Sequence, residues 1–325
     1  PLFISAFVIA TCGLVYELIA GAMASYLLGD SITQFSLIIG VYLSSMGLGA
    51  YASRYISDNL LSRFVEIEIA IALVGGFEAI ALFAAFAYTP NFQAILFSLV
   101  SIVGMLVGME LPLLIRILED KEKLKDLVAR VFFLDYIGAL VASLSFPLVL
   151  APRLGLLRTS LAFGILNVGV ALWTTFLFQS RPAEKLRLRA MGFTALALLA
   201  ICFGLAQHLE KKIDADLFSD PVVLHYATPY QKLTFTRRGP DLRLYINGAL
   251  QFSSIDEYRY HESLVHPAMA SVDSPERVLV MGGGDGMAVR EVLKHPAVRH
   301  VSLVELDPQM TGLFQEREEL VELNG

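Results

Sequence analysis

Residues 277–307 read RVLVMGGGDGMAVREVLKHPAVRHVSLVELD, and two features of this stretch can do chemistry together. Gly282, Gly283 and Gly284 follow a short apolar run, and glycines let a backbone come close to a ligand. Glu305 closes the next apolar run, about twenty residues on, where a carboxylate can accept hydrogen bonds from both ribose hydroxyls. Asp285 adds a second acid inside the glycine run. The dinucleotide spacing GxGxxG is not met, because Met287 and Ala288 follow Gly286. GGGDG with VELD points instead to adenosyl-sulfonium compounds, which have no pyrophosphate to cradle. Upstream, Gln231 and the run Tyr260, His261, Glu262 offer further polar contacts.

The elements that must hold these residues follow from local pattern. RVLVM is a short buried strand, MAVREVLKH a helix and HVSLVELD a second strand, a strand, turn, helix, strand order. Before it, VVLHY, QKLTFTR and LRLYI read as strands of a small antiparallel sheet, with RGPD and NG as turn signals. Ser254 and Glu257 form a capping box for a helix that carries Tyr260 and His261. Each candidate also has a plainer reading. Asp285 can cap the helix beside it, Gln231 can pair across strands, Tyr260 and His261 can be packing residues, and Glu305 can be a surface acid.

Some two hundred mostly apolar residues come first. The chain is 55% hydrophobic and 17% charged, with mean hydropathy +0.61, too apolar for an ordinary soluble domain. Runs long enough for about 20 residues of helix, the length that crosses a bilayer core, lie near 2–28, 32–53, 67–88, 92–115, 131–150, 156–178 and 190–208. The expected architecture is a multi-span helical membrane bundle of about seven spans over 1–210 and a polar linker over 211–220. A small β-sheet over 221–255 and the start of a Rossmann-like α/β domain over 256–325 follow. Gly104 and Gly108 make a GxxxG for close helix packing, and Pro112 and Pro147 are expected to kink their helices.

Glu17, Glu78, Glu110 and Asp135 fall within the spans, where acids are costly and turn toward the bundle interior or water. They form a candidate intramembrane cation site, with helix pairing to hydroxyls, tyrosines or Arg116 as the plainer reading. The even loops carry most of the cations, Arg54, Arg63, Arg116 and Arg187 among them, while the opposite side has Arg153 and Arg158. The loop rule then puts the C-terminal part outside a cell (inner) membrane, against the cytoplasmic setting its chemistry asks for. Cys12 and Cys202 lie in apolar runs as packed thiols, with no disulfide framework. The net charge of -6 argues against nucleic acid and suits a cationic substrate.

TPYQKL, LRLYINGALQFSSIDEYRYHESLVHP, VLVMGGGDG and VSLVELD, in that order, resemble the consecutive motifs of spermidine synthases, the polyamine aminopropyltransferases. With the apolar region in front, the chain resembles the membrane-integrated bacterial branch of that family. The resemblance implies a transferase with a methyltransferase-type α/β domain. It would move a 3-aminopropyl group from decarboxylated S-adenosylmethionine to putrescine or a related polyamine, without a metal, in a homo-oligomer such as a dimer. It assigns Gln231, Gly282, Gly283, Gly284 and Glu305 to the co-substrate, Tyr260 and His261 to the amine acceptor and Asp285 to an ammonium group.

Met287 stands where the family usually has another glycine. The family's later acidic segment, which supplies the catalytic base, is expected beyond Gly325, so residues 1–325 alone are expected to be inactive. Two other readings stay open: a polyamine transporter or sensor whose tail is a binding module, and an S-adenosylmethionine methyltransferase, which accounts poorly for Gln231, Tyr260 and His261.

Overall fold

A computed structural model describes residues 2–119, 123–177, 181–228 and 230–324. Pro229 of the TPYQKL motif and Gly325 lie outside the described residues. The chain divides into two compact units, Pro1–Leu217 and Phe218–Gly325.

Seven long helices build the first unit: α1 (Leu2–Leu28), α2 (Ser31–Ala52), α3 (Leu60–Tyr88), α4 (Phe92–Leu118), α5 (Leu124–Ser145), α6 (Ala151–Leu177) and α7 (Pro182–Leu217). Near-continuous apolar sequence carries each helix. Asp30 starts α2 by accepting a hydrogen bond from the Thr33 amide at 3.3 Å, the usual service of an N-cap acid. The stretch expected as a linker from residue 211 is helical through Leu217. Lys211 and Lys212 at its start do not stop a helix, because Lys is a good helix former.

By length and composition, six helical stretches are apolar enough to cross a membrane. One of them, Leu124–Leu177, is 54 residues long and would reach about 80 Å if straight. It is not straight. After Ser145 the chain opens into a π turn over Phe146–Leu150, where Pro147 has no amide to donate. Gly155 then takes φ 76°, ψ 168°, a conformation open in practice only to glycine. The two halves fold back along α1 at one level. Thr11 Oγ1 lies 3.3 Å from the Gly138 carbonyl oxygen of α5, and Cys12 Sγ lies 3.9 Å from the Phe163 carbonyl oxygen of α6. The stretch is therefore two helices, α5 and α6, which makes seven long helices among the described residues. At Pro112, by contrast, α4 continues.

Glycines set the closest crossings. A methyl group on Gly104 would sit 2.9 Å from the Tyr42 carbonyl oxygen, and one on Gly108 would collide with the Met46 backbone. The GxxxG of α4 thus lies directly on α2. On the other side, Gly76 and Gly164 bring α3 and α6 together, and Ser160 Oγ reaches the Gly75 and Gly76 carbonyl oxygens at 2.6 and 2.9 Å.

The second unit opens with an antiparallel meander, β1 (Val222–Ala227), β2 (Lys232–Arg238), β3 (Asp241–Ile246) and β4 (Ala249–Ser253). Asn247 and Gly248, with φ 51° and 82°, make the tight turn before β4, as positive-φ hairpin turns favour. Next come α8 (Glu257–Ala270), β5 (Arg277–Met281), α9 (Met287–Leu293), β6 (His300–Val304), α10 (Pro308–Glu316) and α11 (Glu318–Val321). β5 and β6 pair in parallel, Arg277 opposite His300 and Met281 opposite Val304. One face of this pair packs Val278, Val280 and Val301 on Val265, Met269, Ala288 and Val292. The other leaves Leu279, Met281 and Val304 exposed. Met287 is buried with Leu233, Phe235, Leu244, Phe252 and Phe314, so it begins α9 and fills the core under the meander.

Candidate nucleoside and amine site

The glycine turn between β5 and α9 has three left-handed residues, Gly282, Gly283 and Gly286, at φ 78°, 71° and 80°. β6 ends beside it, and Glu305 projects back onto the turn. Its Oε2 accepts a hydrogen bond from the Gly284 amide at 2.7 Å, while Oε1 accepts from the Leu306 and Asp307 amides at 2.8 and 3.2 Å. A side chain at position 284 has no room, since a methyl group there would sit 2.7 Å from Glu305 Cγ. The sheet thus brings together the glycines and the carboxylate that the sequence separates by some twenty residues.

Gln231 reaches the same corner through Asp307. Gln231 Nε2 and Thr228 Oγ1 both donate to Asp307 Oδ2 at 2.9 Å. Asp307 Oδ1 in turn accepts from the Gln309 amide at the start of α10. The Gln231 side chain is therefore tied to the loop after β6, while its backbone pairs with Thr228 across the β1–β2 connection. Sequence reasoning passed over Asp307 and Thr228 as site-building residues, although both stand inside the motifs TPYQKL and VELD.

Asp285 is buried, with 2% of its surface exposed. Its Oδ1 accepts from the Met287 amide at 3.1 Å, and its carbonyl oxygen accepts from Asn324 Nδ2 at 2.7 Å. From the position before the N-cap, Gly286, it answers the first amide of α9. Burial raises its carboxyl above the ordinary 3.8; the charges of Glu305 and Glu257 push the same way, against the Met287 amide and His261. These influences place His261, Glu257 and Glu305 within electrostatic reach of Asp285.

The pair on α8 divides. Tyr260 is exposed and His261 is buried, as neighbours about 100° apart on a helix must differ. His261 Nδ1 lies 2.7 Å from Glu257 Oε2, and Arg290 Nη2 donates to both Glu257 oxygens at 2.8 and 3.0 Å. The expected capping box does not form. Glu257 turns to Arg290 and His261, and Ser254 Oγ instead accepts from the Leu242 amide at 2.9 Å. Asp256 takes the cap position. A partly buried arginine opposite outweighs one backbone amide for a glutamate's charge.

A cleft of about 300 Å³ opens beside the glycine turn, lined by Gly284, Asp285, Gly286, Phe314 and Asn324 among others. Glu305 and Gln231 do not line it. Glu262, His266 and Glu291 stand close enough to share an ion, but Lys294 and Arg290 already neutralise Glu291, so this donor set is an ion-pair network. In the helical unit, Glu17, Glu78 and Glu110 are buried as expected, Glu68 joins them, and Asp135 is half-buried. Arg116 donates to the Ser53 carbonyl oxygen at 3.1 Å.

The arrangement at the end of β6 suits a nucleoside: acceptors for a ribose diol beside a backbone free of side chains. Residues 257–317 match the family model described as the spermine/spermidine synthase domain. The polyamine aminopropyltransferase of Leptospira interrogans is 51% identical over 323 residues, covering 99% of this chain and 65% of that protein. Polyamine aminopropyltransferase 2 of Ralstonia nicotianae is 53% identical over 331 residues, again 99% and 65%. This chain therefore spans 65% of the length of these relatives. Among solved structures, spermidine synthase from Thermotoga maritima is 30% identical over 30% of this chain and 34% of that one, with a TM-score of 0.29.

Proposed function

We propose that this chain serves a membrane-integrated polyamine aminopropyltransferase, which moves a 3-aminopropyl group from decarboxylated S-adenosylmethionine to putrescine. The observation that carries this reading is Glu305 folded against the Gly284 amide, a ribose acceptor set on a side-chain-free turn. Support comes from relatives of that name, which align with 99% of the chain and so with the helical unit as well as the C-terminal one. On this reading the seven helices cross a lipid bilayer.

The chemistry asks for little beyond placement. A neutral amine nitrogen attacks the carbon beside the sulfonium; the C–N bond forms as the C–S bond breaks, and the electron pair stays on sulfur in methylthioadenosine. The new ammonium then loses its proton, so a carboxylate base is required, and most of the remaining work is holding the two reactants in line. Glu305 holds the ribose, and Gln231, fixed by Asp307, stands on the thioadenosine side. Asp285 receives an ammonium, with His261 behind it and the exposed Tyr260 toward the acceptor.

The test is aminopropyl transfer by the full-length protein in detergent, with decarboxylated S-adenosylmethionine and putrescine, cadaverine or spermidine, followed by methylthioadenosine release. Glu305→Gln should lower kcat/KM about 10- to 100-fold, the loss of a charge-assisted contact of about 1.5–3 kcal/mol. No product despite intact nucleoside binding would overturn the reading. Preference for S-adenosylmethionine over its decarboxylated form would move it to methyl transfer.

A further inference from the structure

The helical unit holds acids that its own side chains leave unanswered. Glu68 and Glu78 are 0% and 1% exposed, yet neither Glu68 oxygen nor Glu78 Oε2 has a hydrogen-bond partner among the described residues. Glu68 and Glu110 face each other carboxyl to carboxyl, a pair that can share one proton but supplies no cation. Tyr16, also 0% exposed, has an unpartnered hydroxyl within electrostatic reach of Glu110, Glu68 and Glu78. Some polar groups of the bundle do find partners: the Tyr42 hydroxyl donates to the Gly13 carbonyl oxygen at 2.7 Å, and Ser160 reaches the α3 backbone, whereas Ser5 Oγ and the Asn167 amide, like the acids, have none among the described residues. Pairing with hydroxyls, backbone or side-chain cations therefore does not account for Glu68 and for Glu78 Oε2 among the described residues.

Their depths are ordered. At 1.5 Å per residue, Glu68 lies about 12 Å from the start of α3 and Glu110 about 12 Å from the end of α4, the same side of the bundle. Glu78 and Glu17 lie about 15 Å from the ends of α3 and α1, the other side. On α3 the two layers are about 15 Å apart. Between them the Tyr16 ring lies on Gly75, where a methyl group would sit 2.8 Å from three ring atoms. Glu68, Gly75 and Glu78 share one face of the helix, at i, i+7 and i+10. Beside the Glu68 and Glu110 layer, a cleft of about 500 Å³ has Ile67, Ala70 and Met109 in its lining, with Asp58 and Glu66.

We propose that Glu68 with Glu110, Glu78 with Glu17, and the Tyr16 phenol between them form a binding site for a linear aliphatic polyammonium ion. One ammonium sits at each acid layer. A single metal ion would need its ligands gathered at about 2–2.6 Å around one point, and these layers are far too distant for that. Separated charges on an apolar chain fit two carboxyl layers with an aromatic ring between, because the ring face also attracts cations. The choice of amine rests on the function proposed above; the geometry alone asks for a cation with its charges apart.

The test is equilibrium dialysis of labelled spermidine against the whole chain in lipid nanodiscs. Saturable binding should persist in an Asp285→Asn, Glu305→Gln background, which disables the C-terminal site. In that background Glu68→Gln with Glu78→Gln should weaken it by about tenfold or more, the size expected for lost charge-assisted contacts. Butylamine, with one ammonium, should compete at least about tenfold more weakly than spermidine, by the same reasoning. Tyr16→Phe, which removes only the hydroxyl, should weaken binding severalfold and guards against a double variant that fails to fold. Binding that vanishes with the C-terminal substitutions, or that ignores the bundle substitutions and Tyr16→Phe alike, would overturn the site. Bundle binding without aminopropyl transfer would leave this inference standing and sink the proposed enzyme; transfer without bundle binding would do the reverse.

Discussion

Glu291 of the C-terminal unit and Glu68 of the helical unit are both 0% exposed, and their surroundings could hardly differ more. Arg290 Nε and Lys294 Nζ each reach Glu291 Oε1, at 3.0 and 2.8 Å. The neighbouring acids are answered likewise, Glu257 by Arg290 and Asp241 by Arg243. Around Glu68 no side-chain cation answers among the described residues. A buried carboxylate is tolerable when a cation and hydrogen bonds replace its water, so the C-terminal acids belong to the fold. In the bundle the compensation is left for something else, a bound cation or a proton. Burial of a charge therefore identifies a structural acid only when its partner is built in.

The sharpest way to break this contrast is to remove a built-in partner. Arg290→Met leaves Glu257 and Glu291 buried without their shared cation and should cost about 3–5 kcal/mol, read as loss of stability in denaturant unfolding. Replacing Glu257 and Glu291 by Gln in the same chain should recover a large part. A loss under about 1 kcal/mol would mean that these acids are not held by charge.

A smaller effect of opposite sign is expected in the bundle. Glu68→Gln removes a charge that the fold does not use, so thermal unfolding in nanodiscs should be unchanged or later, by no more than about 1 kcal/mol. Clear destabilisation would show that Glu68 pairs within the protein.

The smallest effect is in the pH dependence of the C-terminal unit. Burial would raise the Glu291 carboxyl, but the hydrogen bonds and charges of Lys294 and Arg290 hold it below the ordinary 4.5. Its contribution is thus present above pH 4.5 and lost as pH falls through the depressed value. Asp285, raised by burial from 3.8, acts the other way: its contribution is present below pH 3.8 and lost as pH rises through the raised value. Glu291→Gln should flatten the acid limb of a stability–pH curve, and Asp285→Asn should raise stability at neutral pH.

Sequence periodicity located most of this architecture, because long apolar runs and alternating strands bury themselves in one obvious way. The glycine turn and Glu305 were legible for the same reason, since strand, turn, helix and strand place them at one sheet end. What escaped depended on partners far along the chain. Glu68 sits in VEIEIA, at the second residue of the run expected over 67–88, and is not singled out there. α3 in fact begins at Leu60, so Glu68 lies two turns inside, while Glu66, about 200° around the helix, faces Arg63 and Arg187. The capping box failed because Arg290, over thirty residues away, takes the Glu257 carboxylate. β4 went unread because ALQFS is too short and mixed to alternate clearly.

Met287, the departure from the usual glycine, ties the turn to the meander through one shared core. Opening the glycine turn far enough to expose its amides must also pull Met287 out from under Phe235 and Phe252. In native-state hydrogen exchange the amides of β2, β3 and the first turn of α9 should therefore open as one cooperative unit. The glycine turn is then as slow to breathe as the sheet beneath it.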